Sequence, residues 1–237
     1  MTGSLYIVST PIGNLEDITI RALRILKEAG IIAAEDTRRT QKLCSFYGIG
    51  TPLTSYHDYN KEEKTAVLLK RMEEGEAIAL VSDAGTPLIS DPGYYLVSRT
   101  IAHGLPVIPI PGPSAPLAAL TASGLPTDSF TFYGFLPRKS GARNILIKSF
   151  QQHKETIIFF ESPHRLTKTL QMLQESLNDR RIVITRELTK TYEEILRGTT
   201  EEILQMSQQR KWKGELTVVV EGEGKKPSRK KRKTAET

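Results

Sequence analysis

The segment from 82 to 87, Ser-Asp-Ala-Gly-Thr-Pro, is the most informative group of residues in the chain, and it directly follows an apolar run. Two small residues and a proline allow backbone amides and carbonyls to approach a ligand closely. The carboxylate of Asp83 could accept hydrogen bonds from ribose hydroxyls or offset a cationic ligand. An equally good interpretation is an Asx turn in which Asp83 only caps local N–H groups.

Glu35 and Asp36, followed by Arg38 and Arg39, form a second candidate group. One of the two carboxylates could act as a general base. Alternatively, Asp36 caps the N-terminus of the helix that follows, with the arginines on its exposed face, an arrangement that helix starts favour. We expect this structural role for one of the two acids and leave the role of the other open.

The segment from 9 to 14, Ser-Thr-Pro-Ile-Gly-Asn, superficially resembles a phosphate-binding turn. It lacks the Gly-x-Gly-x-x-Gly spacing of a dinucleotide fold and the Gly-Lys-Ser/Thr of a nucleotide P-loop. We therefore expect a tight turn that places Pro11 and Gly13 beside a flat, neutral ligand.

The histidines give no clear signal for catalysis. His57, and His164 with Glu161 and Arg165, are either site residues or ordinary cap and loop groups. Neither a Ser-His-Asp nucleophile elbow nor a metal-spaced cluster occurs in the sequence, so hydrolysis by those routes and a metal site are not expected. With a single cysteine, Cys44, an intramolecular disulfide is excluded and a reducing cytosol is the expected environment.

The elements that must position these residues alternate between strand and helix. Short apolar runs predict buried strands at 5–9, 31–34, 77–81, 106–110, 156–160, 182–185 and 216–220. Helical periodicity predicts helices at 19–29, 61–74, 92–103, 164–178 and 200–209. The alternation predicts an α/β fold with mostly parallel sheets, in which ligands bind beyond the carboxyl ends of the strands.

The sequence predicts two domains followed by a basic tail. At about 150 residues per domain, 237 residues suggest one to two domains. The proline-rich segment 108–116 is the best interdomain hinge, which gives an N-terminal α/β domain at 1–111 and a C-terminal α/β domain at 112–224. The remaining segment, 225–237, has no apolar periodicity and predicts a disordered basic tail.

The tail also explains the net charge. Seven basic residues and one acid between 225 and 237 account for the whole formal charge of +6, so the rest of the chain is neutral. The chain shows neither a signal-peptide pattern at its N-terminus nor a membrane-spanning apolar run, and we expect a cytoplasmic protein without a membrane partner.

Several motifs, in chain order, resemble one branch of the tetrapyrrole methylase (class III methyltransferase) family. They are IVSTPIGNLEDITIRAL, AAEDTRRT, ALVSDAGTPLISDPGYYLV, PIPGPSA, GFLPRK, IIFFESPHRL and TRELTKTYEE, between about 5 and 221. That branch methylates the ribose 2′-hydroxyl of a cytidine in the decoding region of 16S ribosomal RNA. The resemblance implies two α/β domains with S-adenosyl-L-methionine in the cleft between them, and a bacterial, cytoplasmic homodimer that acts on 16S ribosomal RNA or the small ribosomal subunit.

The resemblance also implies which residues contact the cofactor: Pro11, Asp83, Gly85, Thr86, Pro87, Leu88, Ile89, Ser114 and Ala115. Thr86 stands where the porphyrin-modifying members commonly have aspartate, which favours the RNA branch. One departure is that members often carry a small C-terminal extension thought to help grip RNA, where this sequence has only the basic tail.

Methyl transfer to a hydroxyl requires alignment and removal of a proton. Alignment contributes up to about 7–11 kcal/mol and a general base about 10²–10⁴-fold, so alignment should dominate. The preferred candidate for the base is Asp36, followed by Glu35. Asp83 is less suitable because we expect it to bind the cofactor.

RNA binding is expected from basic residues in loops that face the cleft, and from the tail. These residues are Arg38, Arg39, Arg138, Lys139 and Arg165. If the tail neutralises about four phosphates, the logarithm of the RNA affinity should fall by about 3 for each unit of the logarithm of salt concentration. The alternative is that the tail is a solvated run of charges that binds nothing specifically. The alternative functions are a C-methyltransferase of tetrapyrroles and a noncatalytic RNA-binding protein of ribosome assembly.

Overall fold

The computed structural model describes residues 3–224, which form two five-stranded sheets with helices packed on them. The first sheet and its helices comprise β1 (Leu5–Val8), α1 (Ile20–Glu28), β2 (Ile31–Ala34), α2 (Thr37–Tyr47), β3 (Leu53–Ser55), α3 (Lys61–Glu73), β4 (Ile78–Val81), α4 (Tyr94–Ala102) and β5 (Val107–Ile110). The strand order is β3-β2-β4-β1-β5, and every pairing is parallel.

Burial on both faces explains why the strands of this sheet are continuous apolar runs. All four residues of β2 and all four of β4 are buried, as expected for a parallel sheet covered by helices on both sides. Local signals set the helix ends: the Thr19 side chain accepts a hydrogen bond from the amide of Ala22 at the start of α1. Gly48 ends α2 in the left-handed conformation, at a φ of 61°.

The second sheet has a different topology. Its elements are α5 (Ala115–Ser123), β6 (Phe130–Phe135), α6 (Ser140–Ser149), β7 (Thr156–Glu161), α7 (Pro163–Leu177), β8 (Arg181–Arg186), β9 (Glu194–Thr199), α8 (Thr200–Gln208) and β10 (Leu216–Val220). The order is β6-β7-β10-β8-β9, with β6 and β7 parallel and the other three pairs antiparallel.

The expectation of mostly parallel sheets is therefore right for the first sheet and wrong for the second. Antiparallel neighbours can be joined by short connections, whereas parallel strands need a crossover. The short loop between β8 and β9 allows an antiparallel hairpin, and the final strand β10 enters between β7 and β8 with the opposite direction to both. Strand and helix content alone does not distinguish these arrangements.

The link between the two sheets is short. The chain leaves the first sheet at Ile110, and α5 then packs Ala119 and Leu120 against Ile158 and Val219 of the second sheet. The predicted boundary after 111 falls in this link, and the division into domains stays a prediction.

Two further expectations concern other parts of the chain. Within residues 3–224, each helix is too short or too polar to span a lipid bilayer. The predicted disordered tail at 225–237 lies outside the described residues.

Candidate active site

A cleft of about 460 Å³ lies beyond the carboxyl ends of the first sheet, with the second sheet as its opposite wall. Its volume falls in the range of small-molecule sites, about 300–1,000 Å³. Because β1 lies between β4 and β5, the loops that follow these three strands are neighbours. The loops of the first sheet line the cleft with Ile12, Glu35, Arg39, Asp83, Ala84, Gly85, Thr86, Ile89, Ser90 and Asp91. The rest of the chain contributes Ser114, Ala115, Pro116, Phe135, Phe160, Glu161, Ser162, Pro163, Gly214, Glu215, Leu216 and Thr217.

Hydrogen bonds tie the three loops together. The amide of Thr10 donates to the carbonyl of Gly85, and the amide of Gly85 donates to the carbonyl of Thr10, both at 2.9 Å. The Thr86 hydroxyl donates to the carbonyl of Pro113 at 3.1 Å and lies 3.1 Å from the hydroxyl of Ser9. Thr86 therefore connects the loops after β1, β4 and β5, and it fixes this wall of the cleft before any ligand binds.

The loop after β4, on the same wall of the cleft, contains several residues with a left-handed backbone conformation. Gly85 has a φ of 78°, and the non-glycine residues Leu88 and Ser90 have φ values of 73° and 68°. Left-handed conformations cost non-glycine residues about 1–3 kcal/mol each and tend to occur at functional sites. In the β5 loop, a Cβ atom on Gly112 would lie 2.9 Å from the Cβ of Ser9, so the approach of the two loops requires glycine there.

Most of the charged groups that line the cleft are acidic. Among residues 3–224, five carboxyl groups and one guanidinium, that of Arg39, line it; the carboxyl groups belong to Glu35, Asp83, Asp91, Glu161 and Glu215. Arg39 lies 3.3 Å from an Asp83 oxygen and so offsets part of this charge. A cleft lined by one sign of charge attracts ligands of the opposite sign, so this one favours a cationic ligand over a phosphate.

Glu35, one of the two predicted bases, lines this cleft. Its Oε2 atom is buried and has no hydrogen-bond partner among residues 3–224. Burial, followed by the negative charge of Asp83, raises the pKa of Glu35.

Asp36, the other predicted base, accepts hydrogen bonds from Arg38 on both of its carboxylate oxygens. Its Oδ1 accepts hydrogen bonds from the amide and from Nε of Arg38, at 2.9 and 3.0 Å, and its Oδ2 accepts from Nη2 at 2.7 Å. These bonds to Arg38 lower the pKa of Asp36 to about 2. The structure thus shows the helix-capping role that was the alternative interpretation of Asp36.

Asp91 lines the cleft at the end of the β4 loop, and sequence reasoning did not single it out. Burial, followed by the charge of Glu35, raises its pKa to about 6, with Asp83 adding to the rise and the Ser82 hydroxyl partly offsetting it. The available signal was a second aspartate eight positions after Asp83 in the same loop.

The second sheet contributes the carboxylate of Glu161 and the aromatic rings of Phe135 and Phe160 to the cleft lining. Glu161 is 2% exposed, accepts from the amide of Ser162 and from the hydroxyl of Thr169 at 2.7 Å each, and lies 2.7 Å from Nη2 of Arg165. The rings of Phe135 and Phe160 lie 5.4 Å apart beside it. No sequence signal placed the phenylalanines in the site, because their position depends on how the two sheets face each other.

Six of the nine predicted cofactor contacts line the cleft: Asp83, Gly85, Thr86, Ile89, Ser114 and Ala115. Pro11 lies next to the lining residue Ile12, and Pro87 is buried. Leu88 packs against the apolar core instead of the cleft. The cofactor contacts themselves stay predictions.

The predicted RNA-binding residues occupy different environments. Arg39 lines the cleft, and Arg38 is exposed beside it while paired with Asp36. Arg138 and Lys139 are exposed in the loop before α6. Arg165 instead holds the fold together, since Nη1 donates to the carbonyl of Leu136 at 3.2 Å and Nη2 pairs with Glu161.

Comparisons with known proteins show the family of the chain. Residues 4–204 match the family model described as Tetrapyrrole (Corrin/Porphyrin) Methylases. Ribosomal RNA small subunit methyltransferase I of Halalkalibacterium halodurans is 55% identical over 94% of this chain and 78% of its own length. The protein of the same name from Bacillus subtilis is 50% identical over 93% of this chain and 75% of its own length.

A solved structure shares the fold. It is the uroporphyrin-III C-methyltransferase of Thermus thermophilus in complex with S-adenosylhomocysteine, which is 20% identical. It aligns with a TM-score of 0.64 over 93% of this chain and 98% of its own.

Proposed function

The chain belongs to the tetrapyrrole methylase family, and from that premise we propose that it transfers a methyl group from S-adenosylmethionine to RNA of the small ribosomal subunit. The acceptor that we propose is the ribose 2′-hydroxyl of a cytidine in the decoding region of 16S ribosomal RNA. The observation that carries the proposal is the acid-lined, preformed cleft between the two sheets. The names of the relatives, which are small-subunit ribosomal RNA methyltransferases, support the choice of substrate.

The residues of the cleft fit this cofactor. S-adenosylmethionine supplies a methyl group activated on a positively charged sulfur. The cleft offers the carboxylates of Glu35 and Asp83, a tightly held backbone around Gly85, and apolar surface from Ile12 and Ile89. This set suits a ligand with a flat base and positive charge, because the apolar side chains can pack on the base and the carboxylates can offset the charge. The Gly85–Ile89 loop and the Ser114–Ala115 pair would hold it.

The main catalytic contribution of the chain is positioning. The loops after β1, β4 and β5 are joined by Thr86 and by the backbone pairing of Thr10 with Gly85. Rigid walls of this kind hold two reactants in line, which can contribute about 7–11 kcal/mol. Of the two bases expected from the sequence, Glu35 has a carboxylate oxygen that no other described residue bonds, whereas Asp36 is bound to Arg38.

The RNA is expected to approach along Arg138 and Lys139, which are exposed and form no ion pair with another residue between 3 and 224. Replacing Arg138 and Lys139 together with alanine should weaken binding of small-subunit RNA and reduce the slope of log affinity against log salt by about 1.4, at about 0.7 per lost phosphate contact. Titration at several salt concentrations measures this. The matched control replaces Lys148 and Lys154, two exposed lysines of the same domain, and equal losses in both double variants would contradict a local RNA site.

The proposed reaction can be tested by locating the methyl group. Purified protein is incubated with S-adenosylmethionine labelled in its methyl group and with small ribosomal subunits, naked 16S RNA or a precorrin. We expect label in ribosomal RNA that survives alkaline hydrolysis as a 2′-O-methylated cytidine dinucleotide. Label in a pyrrole carbon would support the tetrapyrrole alternative, and RNA binding without any transfer would support a noncatalytic role.

We further propose a homodimer in the cytoplasm. α5 is apolar on most of its sides, and helices of this kind are usually buried all round. Its residue Leu117 is nevertheless 48% exposed. Light scattering during size-exclusion chromatography should give twice the mass of the chain, and replacing Leu117 with glutamate should shift it towards the monomer. A monomeric wild type at micromolar concentration would contradict the dimer.

A further inference from the structure

The loop between β6 and α6, together with α6 itself, concentrates positive charge beside the cleft. β6 ends at Phe135, which lines the cleft, so this segment begins where that part of the cleft wall ends. A surface with one sign of charge attracts ligands of the opposite sign, which favours an anionic ligand here. Residues 136–149 contain no acid and four cations: Arg138, Lys139, Arg143 and Lys148.

Arg143 is the buried cation of this segment. It is 3% exposed, forms no ion pair with another residue between 3 and 224, and has an Nε atom without a hydrogen-bond partner among those residues. Its Nη1 atom donates one long hydrogen bond, to the carbonyl of Pro137 at 3.4 Å. Because burial of a charge without an opposite charge is costly, an anion bound near Arg143 would be stabilised by a charge that the described residues leave uncompensated.

The guanidinium of Arg143 lies at the N-terminus of α6. Side chains on a helix lean towards its N-terminus, and the bond to Pro137 shows that this one reaches the loop before the helix. In the same loop, Arg165 donates from Nη1 to the carbonyl of Leu136 at 3.2 Å. Two guanidinium groups thus bind successive carbonyls, which fixes the loop and the direction in which α6 begins.

The first amides of α6 have no acceptor in the described part of the chain. Lys139 precedes the helix and gives no side-chain cap, and the amides of Ser140, Gly141 and Ala142 bond to no residue between 3 and 224. All three residues are exposed, and a Cβ on Gly141 would meet no neighbour within 4 Å among the described residues. Amides at the start of a helix, aided by the helix dipole, are typical ligands of phosphate groups.

We propose that the N-terminus of α6 binds a phosphate group of the RNA backbone close to the nucleotide that is methylated. This inference rests on the proposed function. The amides of Ser140, Gly141 and Ala142 donate to the phosphate oxygens, and Arg143 supplies a buried positive charge beside them. Only residues 136–139 separate Phe135 from α6, so a phosphate bound here places the adjoining nucleoside at the cleft.

The first experiment introduces a carboxylate at the open position of this site. Gly141→Glu retains Arg143, and negative charge at the start of a helix is stabilising, so we expect the variant to fold. Its affinity for 16S RNA should fall at least about tenfold, and the slope of log affinity against log salt should decrease by about 0.7, the value for one phosphate contact. The Kd for S-adenosylmethionine should stay within about twofold.

Three further variants isolate the cause. Gly141→Ala keeps the amides, and Ser149→Glu adds the same charge at the other end of α6; each should change RNA affinity by less than about threefold. Arg143→Met removes the buried charge and should weaken RNA binding with the same decrease in slope, provided that circular dichroism shows a folded protein. Equal RNA affinity in Gly141→Glu and in Gly141→Ala, or equal losses in Gly141→Glu and Ser149→Glu, would overturn the proposal.

A direct titration tests the site without RNA and without activity. In ¹H–¹⁵N spectra of the full chain, inorganic phosphate should shift the amide signals of Ser140, Gly141 and Ala142, and Gly141→Glu should remove this response. Signals that do not move at tens of millimolar phosphate would overturn the proposal. A phosphate response combined with normal RNA affinity in Gly141→Glu would also overturn it, because the site would then bind free phosphate and not the RNA backbone. A wild type that shows the phosphate response but transfers no methyl group to ribosomal RNA would instead overturn the proposed function.

Discussion

Replacing Thr86 with arginine is expected to abolish binding of S-adenosylmethionine. The Thr86 hydroxyl connects Ser9 and the carbonyl of Pro113, so its loss removes the side-chain hydrogen bonds that join the three loops of this cleft wall. The arginine side chain also brings positive charge and bulk to the place where a cationic ligand should bind. We expect affinity to fall at least about 100-fold, which corresponds to about 2.7 kcal/mol.

Calorimetry with the purified variant measures this effect, and circular dichroism establishes that the variant is folded. The control is Thr86→Ser, which keeps the hydroxyl group and should change Kd by no more than about threefold. Equal affinity in the wild type and in Thr86→Arg would show that the β4 loop has been assigned the wrong ligand.

Replacing Glu161 with alanine is expected to lower the free energy of unfolding of the second sheet and its helices by about 3–5 kcal/mol, the range measured when one partner of a buried ion pair is removed. Glu161 is 2% exposed, and its two oxygens serve Ser162, Arg165 and Thr169 at the junction of β7 and α7. Without it, a mostly buried guanidinium and a buried hydroxyl lose their partner. Denaturant unfolding followed by fluorescence of Trp212, in the apolar core on the same sheet, measures the change.

Two control variants measure how much stability is lost with a single buried hydrogen bond and with an exposed ion pair. Thr169→Val removes one of the hydrogen bonds and should cost about 1 kcal/mol. Glu28→Ala removes an exposed i,i+4 pair with Arg24 and should cost about 0.5 kcal/mol or less. A loss below 1 kcal/mol for Glu161→Ala would mean that this carboxylate does not stabilise the fold.

Much of the fold could be predicted from the sequence, because buried strands carry their signal in consecutive apolar residues. All seven predicted strands are present, and the family and the α/β class are confirmed. The strands that sequence analysis missed are β3, β6 and β9, in which no residue is fully buried. A half-exposed strand has no continuous apolar run, so only its pairing with a neighbour stabilises it.

The candidate site was predicted in part, for a related reason. Residues directly after a strand, such as Glu35 and Asp83, could be placed because parallel strands bring their carboxyl ends to one edge. Asp91 lies further along its loop, and only the left-handed backbone at Leu88 and Ser90 returns it to the cleft. Phe135 reaches the cleft from the second sheet, which no local pattern reveals.

The roles of Glu35 and Asp36 show where sequence reasoning stops. Both follow β2, and their residue types permit the same chemistry. Only the structure shows that Arg38 donates hydrogen bonds to Asp36 and lowers its pKa to about 2, while burial raises the pKa of Glu35. Adjacent carboxylates thus differ in basicity because Asp36 is paired with Arg38, whereas Glu35 is buried beside the negative charge of Asp83.

The most direct test of the account is a crystal structure of the protein with S-adenosylhomocysteine. We predict that the ligand lies between the Gly85–Ile89 loop and the Ser114–Ala115 pair, with its sulfur in the acid-lined part of the cleft. A cleft that stays empty at saturating ligand, or that binds a nucleoside triphosphate in its place, would contradict the central claim that this crevice is built for a positively charged methyl donor.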